Sequence, residues 1–165
     1  MMRSLPKLTR ALFLAILCSG VSAFQSQAQN QIQNGEFDNG TTNWTFGDYT
    51  GSPGASMSSV SGAGLSGNNA LYVDVTNAHN GNWNLQVRQS LPFNLVVGRT
   101  YAVSILAKAE SARQMNINIT GNSNQGYWNT WLDLTTAVQT YSYQFTCTNS
   151  NVSGESGFLL KFHLA

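Results

Sequence analysis

The chain has 165 residues, 42% of them hydrophobic and only 9% charged, with eight basic and seven acidic side chains. That balance supplies enough apolar material for one globular domain and excludes a disordered tail. Without an excess of positive charge, it also lacks the electrostatic footprint that binding nucleic acid requires.

The first segment is a targeting signal by its pattern. Arg3, Lys7 and Arg10 precede the run "ALFLAILC", Ala11 to Cys18, and small residues follow in "SGVSAFQSQAQ". A charged start, an apolar stretch too short to span a bilayer and a small-residue cleavage region define a secretory signal peptide. We read it as residues 1–23, with cleavage as late as residue 28, and expect a secreted, extracellular, periplasmic or cell-surface protein with no membrane partner. Its removal takes three bases and no acids, leaving five bases against seven acids and a net charge of about −2. Cys147 is then the remaining cysteine, so no intrachain disulfide can form. Its alternation with Tyr143 and Phe145 marks it as a small buried hydrophobe.

From there the chain reads as strands joined by polar turns. "ALYVDVTN" puts Leu71, Val73 and Val75 on one face and Tyr72 and Asp74 on the other, the two-residue period of a half-buried strand. The alternation returns in "NLQVRQ", "TYAVSILAKA", "QMNINIT", "TWLDLT", "TYSYQFTCT" and "GFLLKFHLA", with turns such as "NAHNGN" and "TGNSNQG" between them. Many short strands and almost no helix predict an all-β fold, a β-sandwich of jelly-roll type over residues 31–165.

The strand positions turned away from the core are chemically unusual. They read Asn84, Gln86 and Arg88, then Asn116, Asn118 and Thr120, then Trp131 and Asp133, then Lys161 and His163. Amides, Arg and His make directional hydrogen bonds, and exposed rings offer flat apolar surfaces. A sugar, with one apolar C–H face and a rim of hydroxyls, needs both. The same face also suits the plain polar surface of a low-charge secreted protein.

Catalysis is not what the acids suggest. Glycoside hydrolases use two carboxylates about 5 to 9.5 Å apart, whereas Glu36, Asp38, Asp48, Asp74, Glu110, Asp133 and Glu155 are isolated in sequence. G-x-S-x-G, P-loop and H-E-x-x-H motifs are absent from the sequence as well. This segment is expected not to be an enzyme, and its catalytic site is expected to be none.

Five stretches in series carry a family resemblance: "NGEFDNGTTNWTFG", "ALYVDVTN", "NWNLQVRQSLPFNLVVGRTYAVSILAKA", "LTTAVQTYSYQFT" and "FLLKFHLA". Together they resemble carbohydrate-binding modules of the family 4, 9 and 22 type, jelly rolls attached to secreted xylanases and glucanases. The resemblance implies a non-catalytic module that binds β-glycan polysaccharides, xylan or β-glucan, and a partner glycoside hydrolase domain. It implies that Trp83 stacks on a sugar, that Gln86 and His163 contact hydroxyls, and that Tyr127 and Trp128 supply a second ring. Arg88, Asn116, Asn118 and Asp133 join this binding face by alternation. The resemblance also implies that the N-G-x-F-[DE] segment is a first strand beside a structural calcium ion. Carried over, the ligands are the side chain of Asp38 and the carbonyls of Glu36 and Asn69, while Trp44 packs at the sandwich edge. An all-oxygen set of this kind suits a hard cation.

Relatives close the sandwich with a strand of the Y-I-D-N-V kind, and the sequence here stops after "FHLA". The expectation is therefore a fragment of a longer protein or a sandwich without that final strand. Two other readings stand beside the module: an adhesion or matrix sandwich that binds a protein, and the N-terminal part of a secreted enzyme acting on glycosyl bonds.

Overall fold

The computed structural model describes residues 29–49, 54–63, 65, 69–77 and 81–164, so the expected signal peptide lies outside the described residues. Among the described residues nine strands follow one another: β1 (Thr45–Asp48), β2 (Ala55–Ser61), β3 (Asn69–Val75), β4 (Leu85–Leu91), β5 (Thr100–Ala107), β6 (Arg113–Gly121), β7 (Gly126–Leu134), β8 (Gln139–Thr146) and β9 (Phe158–His163). A short 3₁₀ turn, Ser150–Gly154, precedes β9, with the Asn149 side chain accepting from the Asn151 N–H as its cap. The fold is an all-β sandwich, as the alternation predicts.

One layer is an antiparallel sheet in the order β1-β4-β9-β6-β7, and β2-β3 and β5-β8 form two further antiparallel pairs. The core forms where apolar alternation from both sides meets. Leu85, Val87, Met115, Ile117, Ile119, Leu132, Phe158 and Leu160 from the five-stranded sheet are buried, as are Phe145 and Cys147. Tyr101, Val103, Tyr141 and Tyr143 of the β5-β8 pair pack against this cluster. Stacked rings run through it, with centroids 5.8 Å apart for Phe93 and Tyr101, 5.3 Å for Tyr101 and Phe145, and 5.2 Å for Phe145 and Trp128. Such offset pairs add stability beyond the area they bury. Cys147 is fully buried and free, as its position in the alternation suggests.

The first segment departs from expectation. Residues 33–43 form a succession of turns and contribute no strand. Asn34, Phe37, Gly40 and Asn43 all have positive φ, a conformation that breaks strand geometry at each of them. Side-chain bonds hold the turns instead: Asn34 donates to the carbonyls of Gly40 and Thr42, and Trp44 donates through its indole N–H to the Asn34 carbonyl. Trp44 packs between Phe37 and Phe162, at 5.5 and 6.0 Å between centroids. The buried Gln89 closes two hydrogen bonds with the backbone of Gln33, at 2.9 and 2.7 Å, and so pins the segment to β4.

Candidate functional site

Because side chains alternate along each strand, the residues between the core positions of the five-stranded sheet share its other face. Register then assembles them into rows. Gly47 of β1 pairs with Gln86 of β4, Gln86 with His163 of β9, His163 with Asn116 of β6, and Asn116 with Trp131 of β7. The neighbouring row runs Thr45, Arg88, Lys161, Asn118 and Asn129. At about 4.8 Å per strand, each row crosses about 19 Å of sheet. Residues far apart in sequence thus form one continuous floor.

The floor is polar and dense. Gln86, Asn116, Asn118 and Lys161 are all buried. Gln86 donates to the Trp83 carbonyl at 2.7 Å, and Asn116 to the Thr130 carbonyl at 2.9 Å. Asn118 donates to the Asn116 side-chain carbonyl at 3.0 Å and lies 3.3 Å from His163 Nε2. Among the described residues, Asn118 Oδ1 and Thr120 Oγ1 are buried with no hydrogen-bond partner. A buried polar atom without a partner is unfavourable, so these two oxygens are a local cost of the packed floor.

Two tryptophans stand clear of this floor. Trp83, in the turn leading into β4, is 55% exposed, and Trp131, on edge strand β7, is 48% exposed. A Cβ added to Gly81 would meet Trp83 Nε1 and the Asn84 side chain at 3.2 Å, so the missing side chain at residue 81 makes room for the indole.

The loop aromatics expected to supply a second stacking ring face elsewhere. Trp128 pairs with Ile119, on the core side of the sheet, and stacks on Phe145 at an interplanar angle of 15°. A register shift between Ile119 and Thr120 interrupts the alternation here. Tyr127 meets the edge of Phe158 at 5.1 Å and donates its hydroxyl to Glu155. Burial, with Glu155 close by, raises its phenol above the ordinary range. Trp131 is the exposed ring of β7, and its alternation with Leu132 and Leu134 was the signal for it. Asp133 is also exposed but lies a row beyond the floor, where it accepts from the Gln114 amide at 2.8 Å.

Two cationic groups and a histidine sit among the amides. The Arg88 guanidinium donates to the Tyr49 hydroxyl and lies 5.7 Å from that ring's centroid. Lys161 donates to Asn124 Oδ1 at 3.0 Å. Burial pushes the Lys161 ammonium below its usual range, with Arg88 adding to the effect. Burial likewise lowers His163, helped by the charge on Lys161. His163 is therefore neutral at pH 7, with one ring nitrogen free to accept.

Two of the three residues expected at a metal site are in contact, though through the Asn69 side-chain amide and not its carbonyl. Asn69 donates through its side chain to Asp38 Oδ1 at 2.9 Å, and Glu36 is exposed nearby in sequence. The Phe37 carbonyl between Glu36 and Asp38 accepts from Ser59. No group of three or more His, Cys, Asp or Glu side chains able to hold a metal occurs among the described residues. A cation there would rely on the Asp38 carboxylate with neutral oxygens, a donor set that fits calcium and not a thiolate- or imidazole-seeking metal. No helix among the described residues is long and apolar enough to cross a membrane.

Comparison with known proteins bears on this face. A family model described as a carbohydrate binding domain, CBM4/9, matches residues 29–164. A solved CBM4 structure superposes with a TM-score of 0.64 at 23% identity, covering 81% of this chain and 88% of that one. The enzymatically active domain of tailspike protein 4 from bacteriophage CBA120 superposes with a TM-score of 0.58 at 15% identity, over 81% of this chain and 19% of that one. At these identities the two structures speak to the fold alone. Comparison with curated proteins gave no match.

Proposed function

Since the chain belongs to the CBM4/9 family of carbohydrate-binding domains, we propose that the face of the five-stranded sheet binds β-glycan chains, xylan or β-glucan, without cleaving them. The observation that carries this is the continuous row Gln86, His163, Asn116 and Trp131. It joins directional polar groups to an exposed ring, and Trp83 supplies a second exposed ring at the start of β4. Rings take the apolar faces of sugars, and the amides and His163 take hydroxyls. The biological role that follows is to hold a secreted glycoside hydrolase on its polymer.

A structural calcium ion belongs to the same reading. The contact between the Asn69 side chain and Asp38 supports it, because it brings the carboxylate beside the start of β3 across 31 residues. Asp38 would hold the ion with carbonyls of Glu36 and Asn69, and the ion would tie the first segment to β3.

The test is affinity electrophoresis of the protein in gels containing xylan, mixed-linkage β-glucan, laminarin or hydroxyethylcellulose, beside Trp83→Ala and Trp131→Ala. Retardation of the wild type in one or more gels, reduced in both variants, is expected. A folded wild type unretarded in every gel would remove the β-glycan reading.

A further inference from the structure

We infer that the bound glycan carries carboxylates, and that Arg88 and Lys161, cross-strand neighbours at the centre of the sheet, form the seat for a uronate side group. The inference rests on the carbohydrate reading above and narrows its ligand class. Arg88 and Lys161 are directly opposite in the β4-β9 register. Like charges in that position destabilise a sheet. Lys161 is also only 6% exposed. A buried ammonium is costly unless paired, and it carries three donors to satisfy.

Neither cation is neutralised by an acid among the described residues. Among the described residues, Lys161 donates to the neutral Asn124 amide, and Arg88 donates to the neutral Tyr49 hydroxyl. The acid that shares this face, Asp133, is two rows and two strands from Lys161. With about 7 Å per row and about 5 Å per strand, that separation is about 17 Å. This exceeds the Debye length of about 8 Å at physiological salt, and Asp133 is already engaged by Gln114. His163, two residues along β9, adds a group that becomes cationic in acid.

The placement is selective. The mature chain is expected to carry five basic residues, and two of them are paired here in a protein whose acids outnumber its bases. The amides around them already serve for hydroxyls, and a neutral hydroxyl would leave the repulsion between the two cations in place. A carboxylate offsets it. The half-buried Arg88 offers a planar fork matched to a carboxylate, and Lys161, held by Asn124, adds a second positive charge on the opposing strand. A uronate on a β-glycan backbone would then bring its carboxylate to the centre of the floor while the chain runs between the tryptophans.

The experiment is calorimetric titration of the protein with glucuronoxylan and with the same polymer after its carboxyl groups have been reduced to primary alcohols. Mixed-linkage β-glucan is the neutral control, and each titration is repeated at low and high salt. At low salt the native polymer is expected to bind at least about tenfold more tightly than its reduced form. That advantage shrinks at high salt and disappears in Arg88→Gln and in Lys161→Met. Equal affinity for native and reduced polymer overturns the uronate seat while leaving the β-glycan reading intact. Failure to bind any of the three polymers overturns the uronate seat, and failure with laminarin and hydroxyethylcellulose as well overturns the β-glycan reading. The wild-type comparison stands whether or not either variant folds.

Discussion

Replacing Trp131 and Trp128 separately would distinguish a ligand-facing ring from a core ring three residues away on one strand. Trp131 is 48% exposed, and an aromatic side chain has roughly 150 to 250 Å² to bury. About 100 Å² is therefore open, and covering most of it at about 25 cal/mol per Å² is worth about 1.5 to 2.5 kcal/mol. Trp131→Ala is expected to weaken binding by about 10- to 70-fold. Stability should hardly change, because the ring makes no core contact that truncation would empty. Trp128 behaves in the opposite way. It stacks on Phe145 at 5.2 Å and packs on Tyr143 at 5.9 Å, so Trp128→Ala is expected to cost about 3 to 5 kcal/mol of stability. The milder Trp128→Phe keeps an aromatic in the stack, lowers Tm less and leaves affinity for the polymer within about twofold. Calorimetric titration and thermal melts read both quantities on each variant. If folded Trp128→Phe lost binding while Trp131→Ala kept it, the assignment of faces on β7 would be wrong.

Three further predictions follow from the same geometry. Gly81→Ala places a Cβ 3.2 Å from the Trp83 indole nitrogen, so it is expected to displace the ring and weaken binding with Tm nearly unchanged; unaltered affinity would show that the position of Trp83 does not matter. Calcium at Asp38 would stabilise the folded state by mass action, so a chelator is expected to lower Tm by several degrees in the wild type and by nothing in Asp38→Asn. Identical chelator responses, or none in either protein, would reject the ion. His163 has a folded pKa below the ordinary value of about 6.5, so the unfolded state takes up a proton first as the pH falls. Stability is therefore lost from about pH 7 downward until the folded imidazole titrates, and His163→Gln is expected to flatten that part of the Tm profile; an unchanged slope would place the pH dependence elsewhere.

What the sequence revealed and what it hid follow from how far each signal reaches along the chain. Alternation is local, so β3 to β6, the second half of β7, β8 and β9, and the polar sides of β4, β6 and β9, are readable from it, while the first half of β7 reads as a loop. β2, "ASMSSVS", gave little pattern because serines fill both faces, yet pairing with β3 in full register makes it a strand. The turns of residues 33–43 were hidden for a different reason. Positive φ at Asn34 and Phe37 is fixed by bonds to Gly40, Thr42, Trp44 and Ser59, and no propensity of Phe37 announces it. Tyr127 and Trp128 lie where the register shifts, and a one-residue shift exchanges faces. Trp131, beyond the shift, kept the face its alternation indicates.

The pattern of burial explains why such a face can recognise a ligand without moving. Asn116 and Asn118 are held from below by the core residues Met115, Ile117 and Ile119 on the same strand, and from the side by hydrogen bonds to Thr130 and to each other. Their rotamers are thus set before any ligand arrives, so little side-chain entropy remains to be lost on binding. The cost of that order falls on the free protein, in an unpartnered Asn118 Oδ1 and a buried Lys161 opposite Arg88. Under the uronate proposal, a ligand that neutralises the second relieves that part of the cost. One that matches only the tryptophans would not, and on that reasoning the floor between the rings, more than the rings themselves, is where discrimination among glycans would lie.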